Sequence, residues 1–194
     1  NKIKNFRLAN PSVGLNESTQ HTIQSLIKLE TNAFSINNSL KEAQKLQSKF
    51  VAAFQEDKEQ VALEIVLFLT ANNISSASIF KTDLDRQMTE KRQLQTTLSS
   101  GHPNLKQNQE KIDRTLNKIY SSLMVFIKNT EGQVKQRAAG IQSISKKLKG
   151  LPSKELQLAE LQRSQNIASG IYSQVLDRYN KAKVAETVEA ADVF

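Results

Sequence analysis

The chain has 194 residues, no Cys, no Trp, six Gly and three Pro, with 38% hydrophobic and 6% aromatic side chains. Without thiols there is no disulfide scaffold, no thiol catalysis and no cysteine-ligated metal. So little turn material and so few apolar residues argue against a compact sheet fold and for long helices. The net charge of +8 is uneven: residues 103–150 carry +7 (ten basic, three acidic), whereas residues 16–100 and 151–194 each carry −1.

The sequence predicts an all-α chain of about four long helices, over about 16–71, 77–99, 103–149 and 153–188. In the first, Leu26, Ala33, Leu40, Phe54 and Val61 recur every seven residues, with Gln47 the polar member. Leu29, Ile36, Ala43 and Phe50 interleave with them, and such 3-4 spacing draws one stripe along a helix. The stripe meets Asp57 and Glu64, so its register breaks near 57. A single helix over 19–69 would be about 75 Å long at roughly 1.5 Å per residue. Asn72-Asn73-Ile74-Ser75-Ser76 supplies the first turn, because Asn and Ser bond to local backbone and favour caps over helix interiors.

The second helix carries Phe80, Leu84, Met88, Leu94 and Leu98, and ends at Ser99-Ser100-Gly101-His102-Pro103. Gly suits a helix end and Pro a helix start. In the third, Ile112, Leu116, Ile119, Leu123 and Phe126 step by 4, 3, 4 and 3. The stripe then re-phases through Val134, Ala138, Ile141 and Leu148, with a stutter expected at Gly132. Gly150-Leu151-Pro152-Ser153 is the next break. The fourth helix carries Leu158, Leu161, Ala168, Ile171, Val175, Tyr179 and Ala182, and Asp192-Val193-Phe194 reads as the opening of a strand. Short connections make neighbouring helices antiparallel, so the expected architecture is a single elongated up-down-up-down bundle of coiled-coil hairpins over 1–194. The abrupt start and end read as those of a segment cut from a longer protein.

Few residues suggest chemistry, and no catalytic, cofactor-binding or metal-ligating set is assigned. His102 precedes Pro103 and reads as a turn or cap, because a zinc site would need ligands at a spacing that is absent. Asp57/Glu59 and Asp83/Asp85 stand two apart, and on a helix such residues face different ways. No phosphate-binding Gly-rich loop occurs. Lys111, Arg114, Lys118, Lys128 and Lys135 fall on outward positions of the third helix and read as a solvated face, with an acidic polysaccharide or lipid headgroup as the sharper alternative. No aromatic residues interleave with them to stack bases, which argues against nucleic acid. Leu63 to Leu69 is apolar nearly all round, and reads either as buried against the second helix or as an exposed tip that meets another subunit. The most apolar stretch, Val61 to Ala71, is about half the ~20 residues that a bilayer span needs.

The order of the breaks carries a resemblance. Gly101-His102-Pro103-Asn104-Leu105-Lys106 opens a long amphipathic helix. Leu151-Pro152-Ser153-Lys154-Glu155-Leu156-Gln157-Leu158-Ala159-Glu160-Leu161-Gln162-Arg163 follows. Then comes Ile171-Tyr172-Ser173-Gln174-Val175-Leu176-Asp177-Arg178-Tyr179-Asn180-Lys181-Ala182-Lys183-Val184-Ala185. Together with Phe6-Arg7-Leu8-Ala9-Asn10, these resemble the periplasmic part of the polysaccharide co-polymerase family, the Wzz/Wzc-like chain-length determinants. The likeness is strongest over 101–106 and 151–185, and weak over 16–100. It implies a periplasmic domain of an inner-membrane protein, held by membrane segments outside this chain. It also implies a homo-oligomer that works with polysaccharide synthesis and export proteins, and with polysaccharide itself, to set chain length or export. A tyrosine kinase follows in many members; this segment has no such site. The rival readings are a helical-hairpin adaptor of a secretion or efflux system and a cytosolic coiled-coil scaffold.

Overall fold

A computed structural model describes residues 2–55, 57–99 and 101–191, with backbone alone at 181, 182 and 184–191. The described chain is all helix and turn: α1 (Lys2–Ala9), α2 (Glu17–Ala52), α3 (Lys58–Ala71), α4 (Ser76–Thr97), α5 (Pro103–Leu148) and α6 (Ser153–Ala191). The strand expected at 192–194 lies outside the described residues. The contacts group into two compact units, a middle unit of residues 39–132 and a terminal unit of 1–38 with 133–194.

The punctuation works as its chemistry demands. Asn16 caps α2, its Oδ1 accepting from the Thr19 N–H at 2.8 Å. At the end of α3, Asn73 takes the left-handed backbone (φ 59°) that Asn tolerates best after Gly. The Ile74 N–H then reaches the Leu69 carbonyl at 2.9 Å and the Asn73 N–H reaches that of Thr70 at 2.9 Å. This pair of bonds is a Schellman closure, and half-buried Ile74 packs on the core beside it. Pro103 and Pro152 open the last two helices, the Pro152 carbonyl accepting from the Leu156 N–H at 2.9 Å.

The stretch 16–71 is two helices where the sequence predicted one. The chain turns at Ala53, Phe54, Gln55 and Asp57 and reverses, so that Lys49 Nζ meets Glu64 Oε2 at 2.7 Å. In an unbroken helix those residues would stand about 22 Å apart. The cause is the apolar excess of α3, whose Ala62, Ile65, Val66, Phe68 and Leu69 are all buried. A helix apolar on most faces needs neighbours on most sides, and folding back supplies them. Phe54, expected on the seam, sits in the turn and is 81% exposed.

In the middle unit α2 and α5 run in opposite directions. Gln44 meets Glu131 at 3.4 Å, Phe50 stacks on Tyr120 at 4.9 Å, and Gln55 meets Asp113 at 2.8 Å. The core gathers Ala43, Leu46 and Phe50 of α2, the buried face of α3, Ala77 and Leu84 of α4, and Ile112, Leu116, Ile119, Leu123 and Ile127 of α5. Asn108, Ile112, Leu116, Ile119, Leu123, Ile127 and Thr130 are buried along α5. They step 4, 4, 3, 4, 4, 3, an 11-residue repeat close to the natural helix period. Ile127 therefore points inward where Phe126 was expected, and Phe126 meets Phe68 edge-on at 5.1 Å. Beyond Thr130 the inward positions alternate by 4 and 3 through Val134, Arg137, Ile141, Ile144 and Leu148, and Ala138 is exposed.

In the terminal unit the core is Ile23, Leu26, Leu148 and Ala159, edged by Leu15, Ile27, Ile141, Ile144 and Leu151. Side-chain hydrogen bonds join α2 to α6. Arg163 Nε and Nη2 donate to Glu30 Oε2 and Oε1 at 2.8 and 2.6 Å, and Arg178 Nη2 donates to Ser35 Oγ at 2.9 Å. A Cβ at Gly170 would stand 2.7 Å from Thr31 Cγ2, so glycine admits the close approach of the two helices there. α1 lies against α6.

Candidate functional site

His102 does what a turn residue does: the Asn104 N–H donates to its Nδ1 at 3.2 Å, which caps the first turn of α5. Asp57 stands at the start of α3, while Glu59 two residues on holds Lys91 at 2.7 Å. Asp83 pairs with Arg86 at 3.0 Å. Neither carboxylate pair forms a shared site. No group of three or more potential metal-ligating side chains occurs among the described residues.

Lys111, Arg114, Lys118, Lys128 and Lys135 are all exposed, as their outward positions required. Lys111 reaches Glu90 at 3.6 Å and Arg114 reaches Glu110 at 3.4 Å. Of the two readings of Leu63 to Leu69, burial is the one realised: within that run only Leu67 is exposed, at 55%. No described helix is long and apolar enough to cross a membrane.

The surface feature that stands out is on α6. Tyr172 (69% exposed), Val175, Leu176 and Tyr179 (61% exposed) follow one another at i, i+3, i+4 and i+7, which places them on one helix face. Val175 and Tyr179 were expected inside the seam, together with Ala168, and all three are exposed. The residues that turn toward α2 are instead Arg163, Gly170 and Arg178, two cations and a glycine. A hydrophobic period finds neither kind: Leu158 is buried and Leu161 and Ile171 are half-buried as the seam required, but its other described members are not. Ala182 lies outside the residues whose side chains are described.

Between α1, α2 and α6 runs a groove of about 450 Å³, where Arg7 joins the carboxamides of Gln20, Gln24, Gln162, Gln165 and Asn166. The Glu30 carboxylate, bonded twice to Arg163, holds that guanidinium above its ordinary pKa, against the opposing effect of burial. The groove offers donors and acceptors without a nucleophile, and the pair is a structural clamp. Compared with family models, curated proteins and solved structures, the chain matches none.

Proposed function

We propose that this chain is a non-enzymatic, periplasmic coiled-coil scaffold of a polysaccharide co-polymerase. In this reading it belongs to an inner-membrane protein that oligomerises and governs the length or export of extracellular or capsular polysaccharide. In this reading the helices serve as a support on which the machinery of synthesis and export assembles. The observation that carries the reading is the exposed stripe Tyr172, Val175, Leu176 and Tyr179, within the stretch that resembles the family best. Contiguous apolar surface of this kind marks an association face, and the occupant in this reading is a second copy of the protein.

Two experiments test it. The native gene on either side of this segment is expected to encode a hydrophobic span of about 20 residues on each side. Absence of both spans would sink the membrane-anchored reading and leave a cytosolic scaffold, and a flanking β-rich domain would favour a secretion or efflux adaptor. In the full-length protein, Tyr172→Glu with Tyr179→Glu is expected to dissociate the oligomer on sedimentation and to broaden the polysaccharide size distribution on gels. An oligomer and a distribution indistinguishable from wild type would overturn the reading.

A further inference from the structure

Beside α1 the terminal unit holds unspent hydrogen-bonding capacity in a concave place. In the groove of about 450 Å³ between α1, α2 and α6, Arg7, Gln24, Gln162, Gln165 and Asn166 make no side-chain hydrogen bond or ion pair within the described chain. Gln20 spends one donor, on the Leu15 carbonyl at 3.0 Å. The floor is apolar, with Ile23 buried and Ile3 half-buried. A second recess of about 410 Å³, between α1 and α6, shares Ile3 and Gln165 with the first and adds Lys2 and Ser164. Among the described residues no Asp or Glu lines either one. A single exposed carboxamide is ordinary solvated surface. Several around one apolar floor are a surface where a ligand's polar groups can replace water.

We infer that this groove is a saccharide site, and that its ligand is an oligosaccharide carrying carboxylates. A carboxamide is donor and acceptor at once, and so is a sugar hydroxyl, so each can donate to one hydroxyl and accept from the next. A pyranose ring also has apolar C–H faces, and Ile3 and Ile23 give such a face a place to lie out of water. Arg7 and Lys2 stand five residues apart on α1, about 7.5 Å along its axis. With no carboxylate lining either recess, these two cations favour an anionic ligand, and a guanidinium holds a carboxylate bidentately. A peptide fits the same surface less well. It binds by adding to a sheet edge or by laying an apolar helix face in an apolar groove, and this groove offers neither. Its volume falls in the range of small-ligand sites, about 300–1,000 Å³. The glutamine side chains are long and must be ordered on binding, so the expected affinity is low, about 0.1–1 mM. The inference deepens the proposed function: it rests on that reading for the source of the sugar, and on the groove alone for the site.

Nuclear magnetic resonance of the side-chain amides tests it, with the chain titrated separately by a galacturonic acid tetramer, a neutral glucose tetramer and a tetraglutamate peptide. The amides of Gln24, Gln162, Gln165 and Asn166 are expected to shift with both sugars, at about fivefold to tenfold lower concentration of the acidic one. Arg7→Gln is expected to remove that preference and to leave the neutral sugar within about twofold. Gln162→Glu with Gln165→Glu is expected to weaken the acidic sugar about tenfold or more, by like-charge repulsion. These side chains are exposed or half-buried, so helicity by circular dichroism should stay native. Silent amides with both sugars, or undiminished binding by the Gln162→Glu, Gln165→Glu chain, would overturn the site. Equal affinity for the two sugars would overturn the carboxylate, and tetraglutamate binding there as tightly as the acidic sugar would overturn the saccharide. Hydrophobic spans flanking this segment together with silent amides would sink the inference alone. Shifted amides without such spans would support the inference and sink the membrane-anchored scaffold alone.

Discussion

The middle and terminal units are both helical, yet they hold together differently. The middle unit buries a continuous core drawn from four helices, with aromatic contacts at both Phe50–Tyr120 and Phe68–Phe126. Its charges nearly balance, 13 basic against 11 acidic. The terminal unit has a thin core around Ile23, Leu26, Leu148 and Ala159, and 14 basic against 8 acidic residues. It adds to that core a bidentate ion pair and a glycine contact, and it leaves an apolar face of α6 open. A unit with a deep core is specified by volume. A unit with a shallow one depends on a few directional contacts, and on whatever covers its open face.

The sharpest way to break the comparison is to charge the deep core. Leu123 is fully buried, and Leu123→Asp places a carboxylate where no partner exists, at a cost of about 4–5 kcal/mol or more. Thermal unfolding followed by circular dichroism should show the middle unit's transition gone. A variant with native helicity and melting temperature would mean that the α5 seam is misassigned. Truncations compare the cores next. Leu69→Ala in the middle unit is expected to cost about 4 kcal/mol and Leu26→Ala in the terminal unit about 2–3, because the thinner core relaxes more around its cavity. Urea denaturation measures both, and equal costs would say that the cores are alike.

The directional contacts come third. Arg163→Met removes both hydrogen bonds to Glu30, and the clamp is expected to lose about 1–2 kcal/mol, discounted because Arg163 is about one-third exposed. Restoring the loss with Glu30→Leu in the same chain would identify the stranded carboxylate as its source. Glycine substitutions separate propensity from packing. Gly132→Ala meets nothing within 4 Å and should gain about 1 kcal/mol of helix propensity. Gly170→Ala is expected to be destabilising by about 1 kcal/mol, because the added methyl meets Thr31, whose hydroxyl is fixed on the Ile27 carbonyl at 2.6 Å. Thr31→Ser, which removes the opposing methyl, should rescue it. The smallest effect belongs to the open face: Tyr172→Ser with Tyr179→Ser should change the stability of the isolated chain by less than about 0.5 kcal/mol. A larger loss would mean that the face is covered.

Reading the sequence succeeded where chemistry is local. Asn73, His102, Pro103 and Pro152 each mark a helix end that the structure places there or within a residue or two. Leu26, Ala43, Phe50, Ile112, Leu116, Ile119 and Leu123 were legible as inward residues from their period alone, and all are buried. Reading failed where a helix has more than one candidate face. α6 carries apolar residues on its open side and packs with Arg163, Gly170 and Arg178, which no hydrophobic period detects. The hydrogen bond from buried Asn108 to the Gln87 carbonyl, at 3.3 Å, was equally invisible, because a polar residue on an inward position looks like an error in the pattern until its partner is known.

By itself, then, the sequence determined that this chain is helical, where its helices stop apart from the break at 53–57, and which stripe of α5 turns inward, since those follow from backbone geometry, capping and the 3.6-residue period. Tertiary structure decided that α3 folds back on α2, that α6 meets α2 through a clamp and a glycine, and that one face of α6 stays open. Each is a choice among neighbours, settled by which surfaces find a complementary partner at a distance in sequence that no local pattern encodes.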